Sequence, residues 1–335
     1  MPVALITPES QLHKPDEPYV RILQEAGFEV LYPDEPTFTR GQVGEAEAIR
    51  QLSVCDAIIA GGEYFTAVVL ENLPRLRVIA RSGVGYDRVD VEAATKHNIP
   101  VCITPNGNYE CVAEQALAHM FAVAKSMHYF DREMRAGRWT RYLTLPLRGK
   151  TLGIVGLGRI GRALAVRAIA LGMRVIAHET FPQEAFLNAH DVKLMELDAV
   201  LAQADFVSAH CPANDETHGM FNASLFGKMK EGSIFINTAR GALVVEEDLL
   251  AALQSGHLGG AGLDVYQEEP PATDHALYQL DNVSLTPHTG GEDELASEMM
   301  GTESAENIVN LYRGQWPEGN VINNELRDGW QWDPS

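Results

Sequence analysis

Cysteine is sparse. The 335 residues hold four, Cys55, Cys102, Cys111 and Cys211, with no Cys-x-x-Cys spacing and no secretory signal ahead of them. A disulfide-built extracellular domain is therefore not expected, and reduced thiols in a cytoplasmic protein are. Lysine is scarce too, arginine supplying most of the positive charge. A net charge of -20 gives no general attraction to nucleic acid or to an anionic membrane surface. No apolar run reaches about 18 residues, so no membrane span is expected. Metal-ligand spacings of the His-x-x-x-His or Cys-x-x-Cys type are missing, and no metal site is expected. Solenoid-period repeats and low-complexity segments are also absent. The remainder is an ordinary globular balance, 45% hydrophobic and 21% charged, in a chain long enough for two domains.

The organising stretch is TLGIVGLGRIG, residues 151 to 161. A short apolar run, Thr151 to Val155, leads into Gly156, Gly158 and Gly161, and then into an amphipathic segment, Arg159 to Leu171, that Gly172 stops. In a strand-turn-helix of this kind Gly156 makes the tight turn and Gly158 lets the backbone approach a pyrophosphate. Gly161 lets helix and strand pack closely. The helix start offers N–H groups and its positive dipole end to the phosphates. Glu179, at the end of the following strand MRVIAH, stands where a carboxylate would accept hydrogen bonds from the ribose hydroxyls and repel a 2′-phosphate. The cofactor read from this motif is NAD rather than NADP.

Strand-like and helix-like runs alternate along the whole chain, which implies parallel, doubly wound sheets and an α/β class. In the first hundred residues, strands are expected at 3–6, 28–31, 56–60, 77–80 and 99–101, and helices at 18–26, 43–52, 67–72 and 91–97. This half lacks its own Gly-x-Gly-x-x-Gly and is assigned to substrate. Six strands are expected in the nucleotide half, at 151–155, 173–177, 205–209, 233–237, 261–265 and 282–285, the Rossmann count. A last helix near 293–312 and a tryptophan-containing tail are expected to return to the first domain. The division is then a substrate domain of 1–104 and 291–335 around a dinucleotide domain of 105–290. A single long helix is expected over 110–136, with apolar and small side chains around so much of its girth that a second subunit is an attractive cover. A homodimer through 105–150 follows.

Ligands of open parallel sheets sit beyond the carboxyl ends of the strands, and three reactive residues follow strand ends: Arg240, Glu269 and His288. Taking a hydride from a carbon that bears a hydroxyl requires a base for the hydroxyl proton, and histidine suits that near neutrality. Glu269 can fix the tautomer of His288 and favour its protonated form. Arg240 offers a planar fork for a carboxylate and an adjacent carbonyl oxygen, which points to a 2-hydroxy or 2-oxo acid. Taken singly, the three also read as a surface salt bridge, a solvated Glu-Pro-Pro turn and a structural histidine. Their shared edge adds weight to the chemical reading. The loop Ser82-Gly83-Val84-Gly85 is either an anion-binding nest for a substrate carboxylate or a simple glycine turn. Cys211-Pro212 can line the cofactor by its backbone, and Asp264 can orient a carboxamide or a catalytic arginine. His119, His128 and His257 read as packing or surface residues.

With GLGRIG at 156–161, NTARGALV at 237–244, GLDVYQEEP at 262–270 and TPHTGG at 286–291, the chain resembles the D-isomer-specific 2-hydroxyacid dehydrogenases over about residues 50 to 312. That resemblance implies a homodimer in which a Rossmann NAD domain is inserted in a flavodoxin-like substrate domain, with a cleft between them. Arg240 is then the carboxylate arginine, Glu269 and His288 the acid/base pair, and Ser82 to Gly85 the carboxylate turn. Cofactor contacts carried over are Arg159, Ile160, Glu179, Cys211, Thr238, Ala239, Asp264 and His288, with Gly156, Gly158, Gly161, Pro212 and Gly290 expected beside them. The substrate stays open among 3-phosphoglycerate, hydroxypyruvate and glyoxylate. Glu179 stands where Asp is usual, and Val84 where some members carry a hydroxyl. Glu269 argues against formate. A chain ending near 335 leads one to expect no C-terminal regulatory domain. The alternative implied is an NAD(H)-sensing, corepressor-like binding protein without significant turnover.

Overall fold

The structure, a computed structural model, describes residues 1–35 and 37–332. The chain separates into two units, Met1–Asn108 with Glu292–Ser335, and Tyr109–Gly291.

The first unit begins with β1 (Val3–Ile6), α1 (Pro18–Glu25), β2 (Glu29–Leu31), α2 (Glu45–Leu52), β3 (Ala57–Ala60), α3 (Ala67–Glu71), β4 (Val78–Arg81), α4 (Val91–Lys96) and β5 (Val101–Cys102). Among the described residues its five strands are parallel and ordered β2-β1-β3-β4-β5, the flavodoxin-like order. Both faces are covered, as a sheet of continuous apolar runs requires. Alternate residues Leu5, Ile58, Ala60 and Ile79 meet Leu52, Val69, Leu70 and Ala94 on one side. On the other, Ala4, Ile6, Ile59, Val78 and Ala80 meet Tyr19, Val20 and Leu23 of α1. Each large apolar side chain so buried contributes about 1.5–3 kcal/mol.

Buried in this unit is an acid, Glu63, just beyond β3 and only 1% exposed. Loss of hydration pushes its carboxyl up to about 7, with Thr7 and Arg81 offsetting part of the effect. The sign of its effect on stability follows. Between its ordinary value of 4.5 and about 7 the unfolded chain gives up this proton first, so stability contributed by Glu63 is complete below pH 4.5 and falls as pH rises through 7. Glu63→Gln should therefore gain on the wild type by about 3 kcal/mol across that window. Thermal melts of both proteins from pH 4.5 to 8 check this, and a pH-independent difference in Tm would contradict it.

The second unit runs α5 (Tyr109–Ala124), α6 (Met127–Arg135), β6 (Thr151–Val155), α7 (Arg159–Ala170), β7 (Arg174–His178), α8 (Glu184–Ala189), β8 (Val192–Leu194), α9 (Leu197–Gln203), β9 (Phe206–Ala209), α10 (Ala223–Lys228), β10 (Ser233–Asn237), α11 (Glu246–Gln254), β11 (Leu258–Leu263) and β12 (Val283–Leu285). Its strands are parallel in the order β12-β11-β10-β9-β6-β7-β8. The order reverses between β6 and β9, the point at which such sheets bind ligands. One face carries Leu152, Ile154, Val175, Ile234 and Ile236 against Ala116, Met120, Leu164 and Ala168. The other carries Val155, Val207, Phe235 and Leu263 against Leu201, Phe226, Leu249 and Leu253. The chain then returns to the first unit as α12 (Glu294–Tyr312), whose Ala305, Ile308 and Val309 join the α1 side of that core.

Three expectations need correction. The sheet has seven strands rather than six among the described residues; β8 is a three-residue edge strand paired only with β7, too short to read as a strand from periodicity. β11 starts at Leu258 instead of 261, its glycines hiding the strand pattern. The helix expected over 110–136 is broken into α5 and α6. In a continuous helix the Ala124 carbonyl would accept from His128; here it accepts from the Leu145 N–H at 3.0 Å, while Lys125 Nζ donates to the Leu145 carbonyl at 2.8 Å. Ser126 turns the chain in left-handed conformation, φ 49°. Burial is likewise incomplete: Phe121 is 38% and Met127 58% exposed. Among the described residues no helix is long and apolar enough to cross a membrane.

Candidate active site

The glycine-rich turn fits a dinucleotide on the evidence of its own backbone. Gly156 has φ +97°, and a Cβ there would lie 2.6 Å from the Cys211 nitrogen. A Cβ on Gly161 would lie 2.3 Å from the Gly156 carbonyl oxygen, whereas one on Gly158 would meet nothing within 4 Å. The turn is thus packed shut on its protein side and open at Gly158. α7 starts on Gly158, which has no side chain to cap it, so the first-turn N–H groups of Arg159, Ile160 and Gly161 can meet an anion.

Glu179 follows β7 and is braced from both sides. Oε2 accepts the Leu157 N–H at 2.6 Å and Oε1 the Phe181 N–H at 2.9 Å. Each oxygen keeps lone pairs for further donors such as ribose hydroxyls. After β9, His210 is half-buried with Nε2 2.8 Å from Ser208 Oγ, and loss of hydration at the ring pushes it down to about 4, which favours the neutral form. Cys211 is half-buried beside it, its thiol pushed up to about 11, which leaves it a poor nucleophile. The Pro212 carbonyl accepts from Thr217 Oγ1.

After β10, Asn237 shapes the turn that carries Thr238, Ala239 and Arg240. Its Oδ1 accepts the Ala239 N–H at 3.0 Å, and its Nδ2 donates to the Arg240 carbonyl at 2.8 Å. Thr238 Oγ1 is buried without a hydrogen-bond partner, which suits a ligand contact. Arg240 Nη1 donates to the Ala239 carbonyl at 2.7 Å.

Beyond β11 and β12 lie the two remaining candidates, and they meet. His288 Nδ1 is 2.8 Å from Glu269 Oε2, and Glu269 Oε1 accepts the Tyr266 N–H at 3.2 Å. Tyr266 in turn donates its hydroxyl to the Thr286 carbonyl at 3.0 Å, tying the two loops together. His288 stands in left-handed conformation at φ 55°, a strained state for a residue with a side chain. Asp264 holds it there. Its carbonyl accepts the His288 N–H at 2.8 Å, and its carboxylate accepts the N–H groups of Thr289 and Gly290 at 3.0 and 2.7 Å and the Thr286 hydroxyl at 2.5 Å. The Asp264 oxygens therefore face the loop of His288. Sequence reading assigned them to a carboxamide or an arginine, because which N–H groups a strand-end carboxylate caps depends on a neighbouring strand far along the chain.

Ser82 to Gly85 belong to the first unit. The Gly83 N–H is committed to Thr104 Oγ1 at 2.7 Å and Ser82 Oγ to Gln11 Nε2 at 2.8 Å. An anion nest in this loop thus rests on Val84 and Gly85 and not on Gly83. Sequence reasoning also gave Asn237 and Thr286 no role and read His119 as packing or surface; it is 2% exposed and hydrogen-bonded on both ring nitrogens. A histidine within a broadly apolar helix was the available signal.

Residues 117–290 match the family described as D-isomer specific 2-hydroxyacid dehydrogenase, NAD binding domain. The chain is 39% identical over 280 residues to D-3-phosphoglycerate dehydrogenase from Archaeoglobus fulgidus, covering 83% of this chain and 53% of that one. It is 37% identical to glyoxylate reductase from Korarchaeum cryptofilum, covering 83% and 86%. The fold superposes with a TM-score of 0.81 on D-lactate dehydrogenase from Aquifex aeolicus, complexed with NAD and lactic acid, at 27% identity, covering 99% and 100%. The chain spans about half the length of the phosphoglycerate dehydrogenases it matches. From its nucleotide turn to its TPHTGG loop, this chain belongs to the D-isomer-specific 2-hydroxyacid dehydrogenase family, with NAD as cofactor.

Proposed function

We propose that the protein is an NAD-dependent oxidoreductase of a D-2-hydroxy acid and its 2-oxo acid. The observation that carries this reading is the His288–Glu269 pair, 2.8 Å apart at the carboxyl edge of the sheet that bears the nucleotide turn. NAD, when bound, accepts or supplies the hydride. Gly156, Gly158, Arg159, Ile160 and Gly161 would hold its pyrophosphate. Glu179 would hold the ribose and disfavour a 2′-phosphate. Cys211, Pro212, Thr238 and Ala239 would line the remainder, with Asp264 and Gly290 shaping it. Glu269 accepts the Nδ1–H of His288, which leaves Nε2 to take the substrate hydroxyl proton in oxidation and return it in reduction. Arg240 would fork onto the substrate carboxylate and carbonyl. In the first unit, the substrate domain of this reading, the Val84 and Gly85 N–H groups are the donors for a carboxylate.

Candidate substrates are 3-phosphoglycerate, hydroxypyruvate and glyoxylate. The test is NADH oxidation against hydroxypyruvate, glyoxylate, pyruvate, 2-oxoglutarate and 3-phosphohydroxypyruvate, with NADPH alongside. Fast turnover of one acid with NADH is expected, and a preference for NADPH would overturn the role of Glu179. Tight NADH binding with no turnover on any acid would favour a sensing protein instead. We further propose that the protein is cytoplasmic, its four cysteines being free, and that it is a homodimer through 105–150, because Phe121, Met127, Met134, Trp139, Tyr142 and Leu143 expose apolar surface there. Sedimentation velocity reads the dimer directly.

A further inference from the structure

We infer that His119, a helix residue outside the proposed acid/base pair, is the positioning residue that fixes the loop of His288, an inference that rests on the reading of His288 given above. His119 lies on α5, buried against β11 and β12. Room for its ring comes from β11: a Cβ on Gly262 would lie 2.5 Å from the His119 Cβ. Its Nδ1 is 3.0 Å from Ser284 Oγ and its Nε2 is 3.0 Å from Thr286 Oγ1. Gln115 Nε2, one turn earlier, donates to the same Thr286 oxygen at 3.0 Å.

The proton positions in this chain are determined by elimination. The Asp264 carboxylate already accepts two backbone N–H groups, and the Thr286 hydroxyl donates to it at 2.5 Å. With its hydrogen spent, the Thr286 oxygen can only accept, so the His119 proton sits on Nε2. Nδ1 is then bare and accepts the Ser284 hydroxyl. Every polar group of the ring is satisfied with the imidazole neutral, and burial favours that form, against the opposing pull of Asp264.

The consequence reaches His288 through Asp264. The ring and Gln115 orient the Thr286 hydroxyl, the hydroxyl orients the Asp264 carboxylate, and the carboxylate with its own carbonyl collects the N–H groups of residues 288, 289 and 290. That capture holds His288 at φ 55° with Nδ1 on Glu269. A strained backbone of this kind persists only where its surroundings over-determine it.

Two substitutions separate positioning from packing. His119→Phe keeps an aromatic ring and removes both nitrogens; His119→Gln keeps a donor within reach of Thr286. His119→Phe should lower kcat about tenfold while the KM of the acid and the NADH affinity stay within about twofold, and His119→Gln should recover most of the rate. Amide hydrogen exchange gives a readout that needs no turnover. Exchange at Thr289 and Gly290 should speed up about tenfold in His119→Phe and stay near wild type in His119→Gln. Should His119→Phe not fold, Ser284→Ala removes the hydroxyl that donates to Nδ1 and helps hold the ring against Thr286, and should move both readouts the same way by a smaller factor. Equal losses of Tm in the Phe and Gln variants, with unchanged kcat and exchange, would overturn the inference. A wild type that turns over no acid but shows the exchange pattern would overturn the reaction and leave the positioning intact.

Discussion

His288→Asn should reduce kcat by about three orders of magnitude in either direction, because general acid–base catalysis by one positioned side chain is worth about 10²–10⁴-fold. Asparagine is the informative replacement. It tolerates the left-handed backbone that His288 occupies at φ 55°, so the Asp264 clamp on residues 288 to 290 need not open. It has no group that exchanges a proton with an alcohol near neutrality. NADH affinity should remain within about threefold, since the phosphate turn lies on other loops of the same sheet. Glu269→Gln should cost less. Its amide oxygen still accepts from Nδ1 and retains the tautomer, and only the charge that favours the protonated ring is lost. If His288→Asn kept more than about a tenth of wild-type kcat, the proton would have to travel by another group.

Why His288 and Glu269 were readable as a pair, 19 residues apart, is a property of parallel sheets. Each follows a strand, β12 and β11, and the carboxyl ends of parallel strands share one edge, so residues after them converge whatever lies between. The same logic brings Arg240 after β10. Strands with three or four consecutive apolar residues, such as β1, β3, β6 and β10, stood out because strands buried on both faces need no alternation. What escaped has the opposite character. β8 pairs on one side only and spans three residues. The α5–α6 break depends on Leu145 competing for the Ala124 carbonyl. His119 acquires meaning only through Ser284 and Thr286, some 165 positions onward. These are pairings between distant segments, and local periodicity carries no signal for them.

Gly241→Ala should damage turnover severely, although the change adds one methyl group to a residue with no polar side chain. Gly241 follows Arg240, and a Cβ on it would lie 1.9 Å from the Tyr266 carbonyl oxygen and 2.6 Å from the Gln267 nitrogen. Both contacts are backbone, so no side-chain rotation relieves them. The loop after β10 must therefore withdraw from the loop after β11, which carries Arg240 away from Glu269 and loosens the Tyr266 N–H that braces its carboxylate. Overpacking of this kind costs about 1–3 kcal/mol or more in stability. A displacement of about 1 Å in a reacting group can cost about 10² in rate. The expected result is kcat/KM reduced about a hundredfold with a lowered Tm. Gly227→Ala supplies the control: it lies in α10, a Cβ there would meet nothing within 4 Å, and it should leave turnover unchanged while holding or slightly raising Tm. Should Gly241→Ala retain full activity, the two loops would have to be free to part without moving Arg240, and the close backbone approach would be a packing feature alone.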